Sequence, residues 1–421
     1  MTKLAIVGSG IAGLGAAYYL REYFDLTIFE QNSYLGGHTN TVDVIENQAA
    51  IPIDTGFMVY NEVTYPHLTR LFKELGVESQ MTDMSFSVQH KQSGLEYAGA
   101  SYDRLFGDRK NILNLRFWRM LLQLDRFNKE AASALKNPDS SEMSLGQYIE
   151  EYSYGDDFTN LYIVPMCSAL WSTPPDKMLD FPAVTMLRFF QNHGLLGVDT
   201  QHQWWTVVGG AREYVKLLLG KLRTKPLVNC QVIKVAREAR QVAVTTVDGN
   251  VSYFDKVILA CHADESLKLL DNANPIEKSL LSAFQYQKNF VTLHTDQAVM
   301  PLARRCWSSW NYRLESNGTE ASTHYWMNSL QKVSQTKNYF VSVNGGHLIN
   351  EGAIKKRITY AHPLFSLEAI KAQSELPRLN CNPENEQIYF CGSYFRYGFH
   401  EDALASAFEL SRLLQKLPVK I

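Results

Sequence analysis

The sequence predicts an α/β protein in which a domain built around a parallel β-sheet is interleaved with an α+β domain. Three observations support this prediction. The chain opens with an apolar run, residues 4–7, that leads directly into glycines and an alanine-rich helical stretch. Residues 257–260 form a second continuous apolar run, which is typical of a strand buried on both faces of a parallel sheet. In residues 85–100, by contrast, apolar and polar residues alternate, which predicts strands.

The opening segment has the residues of a dinucleotide site. Gly8, Gly10 and Gly13 follow the first apolar run, and Glu30 ends the next one. Gly8 permits a tight turn, Gly10 lets the backbone approach a pyrophosphate, and Gly13 lets the helix lie close to the strand. The N–H groups at the helix N-terminus attract phosphates. Glu30 can accept the ribose hydroxyls and disfavours a 2′-phosphate, so NADP is not expected here.

Further glycines extend this site. Gly36 and Gly37 follow the acidic residue closely and fit a second backbone approach to a phosphate or to a flavin ring edge. Near the C-terminus, an apolar run leads through Gly392 and an aromatic loop containing Gly398 into a helix rich in Ala and Ser. These segments predict that the two ends of the chain belong to one domain.

Length and composition narrow the class of protein. A chain of 421 residues suits two domains, and a net charge of −2 without a basic run argues against a nucleic-acid partner. The six cysteines are scattered, with no C-x-x-C pair, which predicts free thiols in the reducing cytoplasm. We assign no metal ligands. We predict a nucleotide domain from residues 1–85, 201–265 and 386–421, and a second domain from 86–200 and 266–385.

Four blocks resemble the flavin amine oxidase and phytoene desaturase superfamily: residues 8–30, the glycine pair at 36–37, residues 207–222 and residues 389–414. Two sequence motifs are more similar to those of a bacterial subgroup of NAD/FAD-binding proteins: D-T-G-F-M-V-Y-N at 54–61 and Y-G-F-H-E-D-A at 397–403. Related domains are fused to plant cyclopropane fatty-acid synthases. The resemblance implies a Rossmann-like FAD-binding domain interleaved with an α+β substrate-binding domain, FAD as the cofactor, and a lipid acyl substrate.

At the matching positions, the resemblance implies that FAD contacts residues from six segments. These residues are Gly8, Gly10, Ile11, Ala12, Gly13, Glu30, Gln31, Gly36, Gly37, His38, Thr39, Thr55, Gly56, Val232, Gly392, Ser393, Phe399, Glu401, Asp402 and Ala403. The last helix would direct its positive end at the flavin pyrimidine. Helix capping explains Glu401 and Asp402 equally well. Covalent flavin attachment through Cys391 or His38 is a further alternative.

Several positions depart from the amine oxidases. His38 stands where the family commonly has arginine, and the lysine near flavin N5 is matched by Lys288 or Asn289. Phe399 occupies the position of one hydroxyl-bearing ring of the amine cage, and the second ring has no match. These departures weaken the amine hypothesis and leave the FAD prediction intact.

The candidate acid–base groups are His400, Lys288 and His262. His400 is favoured because it falls in the loop expected to face the flavin, whereas most lone histidines are structural. We predict an FAD-dependent oxidoreductase that oxidises or desaturates a fatty-acyl or isoprenoid substrate by hydride transfer to flavin N5. The alternatives are an amine oxidase with a variant aromatic cage, a flavin-dependent isomerase, and a non-catalytic binding protein on the same fold.

Residues 105–127 are predicted to form one helix in which arginines and aromatic residues interleave. Such a helix can lie on a membrane surface, although a core helix with a solvated basic face is the favoured explanation. No apolar run is long enough to span a bilayer. The predicted location is therefore the cytoplasm, with the membrane surface as an alternative.

Overall fold

The computed structural model of the chain describes residues 1–136, 142–197, 200–318, 320–381 and 387–416. These residues form nineteen strands. In chain order they are β1 Lys3–Val7, β2 Asp25–Phe29, β3 Thr41–Glu46, β4 Ala49–Asp54, β5 Tyr60–Asn61, β6 Ser79–Thr82, β7 Phe86–His90, β8 Leu95–Ala98, β9 Trp204–Val207, β10 Val232–Glu238, β11 Gln241–Thr246, β12 Val251–Phe254, β13 Lys256–Leu259, β14 Gln285–His294, β15 Trp310–Leu314, β16 Ala321–Trp326, β17 Phe340–Val343, β18 Ile354–Leu364 and β19 Ile388–Phe390.

The same parts of the chain contain sixteen α-helical segments. They are α1 Ile11–Leu20, α2 Pro66–Leu75, α3 Tyr102–Leu105, α4 Leu115–Ala134, α5 Leu145–Glu151, α6 Asp156–Phe158, α7 Val164–Trp171, α8 Pro175–Met178, α9 Ala183–Asn192, α10 Arg212–Leu219, α11 Ala263–Leu269, α12 Pro275–Ser282, α13 Met327–Leu330, α14 Leu367–Glu375, α15 Pro377–Cys381 and α16 His400–Lys416. Each of these helices is too short or too polar to cross a bilayer.

A four-stranded parallel sheet joins the two ends of the chain. Its strand order is β19-β13-β1-β2, and all three pairings are parallel. The helices α1, α10 and α16 cover one face, where α1 and α16 lie so close that a Cβ on Gly15 would meet Leu404 Cδ1 at 2.6 Å. The antiparallel strands β10, β11 and β12 cover the other face. This three-layer arrangement is typical of nucleotide-binding α/β domains.

A seven-stranded sheet, in the order β18-β14-β17-β16-β15-β7-β8, forms the centre of the second part of the molecule. Its strands lie within residues 86–364 and are antiparallel except for the pairing of β15 with β7. Helices α4, α5, α7 and α9 pack against β7, β8 and β15 in a large aromatic core. Every strand of this sheet falls in the residues predicted for the second domain. Helices α12, α14 and α15 come from the same residues but pack beneath the parallel sheet.

Two parts of the sequence prediction need correction. The helix predicted over 105–127 is a short 3₁₀ helix, Arg109–Leu113, followed by α4, because the Asn114 side chain accepts hydrogen bonds from the N–H groups of Arg116 and Phe117 and so begins α4 anew. The eleven-residue strand β18 was not predicted. The Asp-Gly pair at 248–249 predicts a hairpin turn, and this prediction is confirmed, since β11 and β12 pair there and Gly249 has a φ of +84°.

Asp54, at the end of β4, connects three segments distant in sequence. Its carboxylate accepts hydrogen bonds from the Ala211 N–H (3.0 Å), the Thr41 hydroxyl (2.5 Å) and the Gln331 amide (2.5 Å). The side chain is fully buried, and burial raises the pKa of this carboxyl to about 6. The carboxylate therefore holds the turn before α10 against the β3–β4 hairpin and the end of the α13 segment.

We expect the substitution Asp54→Asn to lower the free energy of unfolding by about 1–3 kcal/mol, because an amide nitrogen cannot accept these hydrogen bonds. The matched control is Asp43→Asn, which removes a half-exposed partner of Arg212 and should cost less than about 1 kcal/mol. Urea unfolding of both variants measures the difference. Equal losses would show that Asp54 does not have this connecting role.

Candidate functional site

The glycine turn between β1 and α1 has the predicted geometry. Gly8 has a φ of +102°, and a Cβ on Gly13 would lie 1.9 Å from the Gly8 carbonyl oxygen. A Cβ on Gly10, by contrast, would meet no atom within 4 Å. Ile11 and Ala12 continue into the buried start of α1. The turn is therefore tightly packed around Gly13, whereas the space next to Gly10 is open.

Glu30 lies beside this turn at the end of β2 and is buried. Its carboxylate accepts hydrogen bonds from the N–H and hydroxyl of Ser9 (3.0 and 2.6 Å) and from the N–H and side-chain amide of Asn32 (both 2.8 Å). Gln31, the next residue, is exposed. The Cys230 N–H donates to the Glu30 carbonyl at 2.8 Å, which brings Val232, the first residue of β10, towards the same end of the sheet.

The predicted glycine pair lies against the same turn. The Gly36 N–H donates to the Ser9 carbonyl at 3.0 Å, and Gly36 forms a bridge with Gly10. Both members of the pair have positive φ values, and a Cβ on Gly37 would lie 3.1 Å from Gly10 Cα. Two glycine-rich backbones thus meet at Gly10, as the sequence predicted.

His38, directly after the glycine pair, belongs to a cluster of histidines. Its ring lies 5.3 Å from the ring of His362 and 6.1 Å from that of His262, and it stacks on Tyr360 at 4.8 Å. His38 Nε2 is enclosed and has no hydrogen-bond partner among the described residues. The His362 ring is itself hydrogen-bonded to the Asn289 amide at 2.7 Å.

His400, the first residue of α16, lies on the other side of His38's segment. Its Nε2 is 2.8 Å from the Tyr214 hydroxyl, and its ring stacks on Phe57 at 3.9 Å. Thr39 completes this group, because its hydroxyl is 2.6 Å from that of Tyr214. His400 is thus held by two aromatic side chains in one orientation.

Burial is the main cause of a lowered pKa in all four of these histidines. It lowers the pKa of His400 to about 3 and that of His362 to about 4, and it lowers the pKa of His38 and His262 as well. All four residues are nevertheless partly exposed. The histidines are therefore neutral groups at pH 7.

The segment from β19 to α16 forms the remaining wall. The Gly392 N–H donates to the Ser406 hydroxyl at 2.9 Å, and the Ser393 carbonyl accepts from the Gly398 N–H at 3.2 Å. Thr55 and Gly56 approach from β4, with the Thr55 hydroxyl 2.9 Å from that of Tyr360. A Cβ on Gly56 would lie 2.2 Å from the His38 carbonyl, so this loop is tightly packed.

Glu401 and Asp402 are buried at the start of α16, next to Ala403. The Glu401 carboxylate accepts the N–H groups of His67 and Leu68 (both 2.9 Å) and so caps α2, while Asp402 accepts the Phe399 N–H at 2.9 Å. Asp402 thus has the capping role in its own helix that the sequence left as an alternative, whereas Glu401 caps a different helix. A direct contact of either side chain with FAD remains a prediction.

Phe399 packs against the aromatic core beside the seven-stranded sheet. It is half-buried, stacks on Phe189 at 4.9 Å, and lies 6.5 Å from Trp171 and 6.4 Å from His193. Burial lowers the pKa of His193 to about 4, so this ring is neutral as well. The rings around the Phe399 side chain are therefore aromatic and uncharged.

Lys288 does not lie among these side chains, which corrects its assignment as a catalytic residue. Neighbouring residues of a strand point to opposite faces of the sheet. In β14 the side chain of Lys288 is exposed, whereas that of Asn289 is 1% exposed and contacts His362. Of the two residues left open by the sequence, Asn289 is therefore the one on the inner face.

Three residues of the site were not predicted: Tyr214, Tyr360 and His362. Tyr360 and His362 belong to β18, where Ile358, Tyr360 and His362 recur with the period of a strand. That period was the available signal. The position of Tyr214 on α10, beside Thr39 and His400, depends on how α10 packs against the sheet.

Cys391, one candidate for covalent flavin attachment, is fully buried, and burial strongly raises the pKa of its thiol. A thiolate, the reactive form of cysteine, is therefore rare at this position. His38, the other candidate, has an enclosed Nε2 that lacks a hydrogen-bond partner among the described residues. The geometry favours His38 over Cys391 as a residue that contacts the cofactor.

The residues present fit a bound FAD. Glu30 is placed for the ribose, the open space above Gly10 for the pyrophosphate, and the partly accessible walls near His38 and His400 for the ring system. The unpaired His38 Nε2 supplies a polar atom for which a ligand is the available partner.

The different surroundings of Gly10 and Gly13 predict two separable effects. Gly10→Ala should retain the stability of the apoprotein and weaken FAD binding at least tenfold, because its Cβ enters the space for the pyrophosphate. Gly13→Ala should lower the unfolding temperature of the apoprotein itself, because its Cβ overlaps the Gly8 carbonyl. Thermal unfolding and FAD titration of both apoproteins test this. Equal stabilities of the two variants would contradict it.

Glu401 and Asp402 predict a dependence of stability on pH. Burial raises the pKa of each carboxyl to about 7, whereas in the unfolded chain both titrate near pH 4. Their contribution to stability is therefore complete below about pH 4 and is lost as the pH rises through about 7. Glu401→Gln should reduce this fall in unfolding free energy, and the exposed Glu409→Gln in the same helix should not. An unchanged slope in Glu401→Gln would contradict the account.

Comparisons with known proteins agree with this geometry. The chain is 25% identical over 258 residues to a protein of Mycobacterium tuberculosis named as a flavin-containing monoamine oxidase, AofH. That match covers 58% of this chain and 54% of the relative, so the chain spans about half of the relative's length.

Two solved structures are similar over nearly the whole chain. The fatty acid isomerase of P. acnes that produces CLA has a TM-score of 0.69 at 15% identity, with 99% of both chains covered. Cyclohexylamine oxidase of Brevibacterium oxydans has a TM-score of 0.69 at 16% identity, covering 99% of this chain and 100% of that one. At such identities the likeness establishes the fold, and it confirms the predicted fold class.

The family model for flavin-containing amine oxidoreductases matches residues 11–348, which is most of the chain. This match confirms the resemblance seen in the sequence and the prediction of a flavin cofactor. The chain belongs to the flavin-containing amine oxidoreductase family.

Proposed function

We propose that this family member is an FAD-dependent oxidoreductase whose substrate is an apolar chain, fatty-acyl or isoprenoid, rather than an amine. The observation that carries the proposal is the environment of Phe399. This side chain lies directly before α16, has no hydroxyl, and stacks on Phe189. A predominantly aromatic wall favours hydrocarbon over a group that carries its own hydration.

The charge of the inner wall supports the same substrate class. The lowered pKa values of His38, His362 and His400 keep these side chains neutral at pH 7. The two carboxyls at the start of α16 already accept backbone N–H groups. A protonated amine would lose its hydration here without gaining a free carboxylate, whereas an acyl chain loses nothing.

A bound flavin supplies the chemistry by accepting a hydride from a substrate carbon. The residues of this chain hold the reactants and exclude water. Phe399, Phe189 and Trp171 would orient the apolar substrate, and the stacked His400 would fix the surface on which the ring system lies. The partial positive charge at the start of α16 would stabilise negative charge that develops nearby.

His400 is poorly suited to the acid–base role that the sequence suggested for it. Burial lowers its pKa to about 3, and its Nε2 already bonds the Tyr214 hydroxyl. A positioning role is better supported. His362 has the same limitation, because its ring is bonded to Asn289. Desaturation of an alkyl chain would release a hydride to the flavin and a proton from the neighbouring carbon, and that proton would pass to a group other than these two histidines.

An amine oxidase with a variant cage is the second candidate. The relative of Mycobacterium tuberculosis is named as a monoamine oxidase, and one similar structure is a cyclohexylamine oxidase. The same fold is also found in a fatty acid isomerase, so it accommodates lipid as well as amine substrates. These names support both substrate classes, and the residues around Phe399 favour lipid.

Anaerobic titration of the FAD-loaded protein distinguishes the candidates. We expect fatty-acyl or isoprenoid lipids to bleach the visible absorption of the flavin, and simple amines to leave it unchanged. Bleaching by amines alone would contradict the proposal and support an amine oxidase. A protein that binds FAD but bleaches with neither class, while converting a lipid to its isomer, would be an isomerase.

Phe399→Tyr should slow the reduction by lipid about tenfold. The new hydroxyl would stand on the aromatic wall beside Phe189 and Trp171, and a buried hydroxyl that displaces an apolar contact without a hydrogen bond of its own costs about 1–3 kcal/mol. The matched control is Phe408→Tyr, the same change in α16 at a half-buried ring beside Tyr19. Equal rates in the two variants would show that Phe399 does not contact the substrate.

A further inference from the structure

One outer face of the helical layer is unusually apolar for a surface. It comprises Ile112 and Leu113, before α4, and Leu115, Trp118 and Leu122, on its first two turns. We call these five residues the α4 face. Their exposed fractions are 49, 88, 75, 43 and 69%, respectively. Five large apolar side chains that are exposed together, rather than scattered singly, mark an interaction surface.

The local structure holds these side chains outward. Residues 115, 118 and 122 share one side of the helix, while Phe117, Met120 and Phe127 occupy the buried side. The Trp118 indole N–H donates to the Ile112 carbonyl at 2.9 Å, which fixes the preceding turn and leaves the outer ring surface without an unsatisfied polar atom. The face is therefore built into the fold by the Asn114 cap and the Trp118 bond.

Basic residues outnumber acidic ones in the stretch of sequence that contains the α4 face. Between residues 101 and 136 the chain contains eight Lys or Arg and four Asp or Glu, although the whole chain has a net charge of −2. Arg116 and Arg119 share one carboxylate, that of Asp157, at 2.7 and 3.7 Å. The two arginine side chains are 56 and 65% exposed, whereas Asp157 is 13% exposed. The guanidinium groups thus face solvent, and their single acidic partner lies behind them.

This combination fits the surface of an anionic lipid bilayer. Apolar and aromatic side chains at the helical spacing enter the boundary between headgroups and acyl chains, and flanking arginines contact lipid phosphates. The surface around a site for a protein partner would be expected to carry acidic as well as basic groups. A second copy of this chain would place its own positive charge against the same positive charge. Charge complementarity therefore favours lipid over a second copy.

The α4 face also lies close to the site. The buried side of α4 packs on α9, and Phe189 on α9 stacks on Phe399. One layer of helices, about 10 Å thick, thus separates the face from the aromatic wall of the candidate site.

We propose that the α4 face docks the protein on anionic membranes, with Leu113, Leu115, Trp118 and Leu122 inserted at the interface and Arg116 and Arg119 on the headgroups. The binding is peripheral and does not depend on the reaction catalysed. An assay of vesicle binding without turnover therefore tests it separately from the substrate class.

The test is flotation of the FAD-loaded protein with vesicles of phosphatidylcholine alone and of phosphatidylcholine mixed with phosphatidylglycerol. We expect binding to the anionic vesicles that falls as salt is raised. The double variant Leu113→Glu and Trp118→Glu should weaken this binding at least tenfold. The control is Ile45→Glu, which alters a side chain that is 68% exposed in the β3–β4 hairpin and should bind as the wild type does.

Arg119→Gln, combined with Arg116→Gln, should abolish the preference for anionic vesicles while keeping FAD content unchanged. Circular dichroism and FAD stoichiometry confirm that each variant is folded. Failure of the wild type to float with anionic vesicles, or equal binding by the Leu113 and Trp118 variant, would overturn the proposal. So would sedimentation that shows a dimer which this variant dissociates, because the face would then be an interface between two copies.

Discussion

The close approach of two backbone segments at the first glycine turn determines where the site lies. Since no Cβ separates Gly13 from the Gly8 carbonyl, α1 lies directly against the parallel sheet. That contact brings the end of β1 beside Glu30 on β2, and it leaves Gly10 facing open space where the segment with Gly36 can dock. The last helix, α16, then packs on α1 through Gly15. The position of the cofactor site thus follows from the short distance between α1 and the parallel sheet, and each later element is positioned relative to this contact.

A second property follows from the burial of the histidines near this site. His38, which stands where the family commonly has arginine, and His362 and His400 lie deep enough for burial to lower their pKa values, yet the three residues are partly exposed. The wall near the cofactor is therefore polar but neutral, and the wall around Phe399 is aromatic. A neutral wall near the cofactor, together with an aromatic wall around Phe399, is the physical basis for proposing an apolar substrate. Docking of the α4 face on a membrane would bring the protein close to a source of such a substrate.

Sequence reasoning succeeded where a feature depends on neighbours in the chain and failed where it depends on pairing between distant segments. The glycine turn, Glu30 and the hairpin at Gly249 each follow from a few adjacent residues, and all three were predicted. The inward position of Asn289 instead of Lys288 depends on the register of β14 with β18. A change of this register by one residue moves every side chain of the strand to the other face of the sheet. His362 and Tyr360 were missed with β18 itself. The break before α4 rests on one side chain, Asn114, whose capping bonds outweigh the apolar period on either side of it.

The central claim is that FAD extends from Glu30 past Gly10 to the neutral wall formed by His38 and the start of α16. An experimental structure of the FAD-bound protein tests this most directly. The account predicts the ribose at Glu30, the pyrophosphate above Gly10, and a cofactor atom within hydrogen-bond distance of His38 Nε2, the atom that now has no partner among the described residues. A flavin ring bound away from His38 and α16, with Nε2 still unpaired, would contradict it.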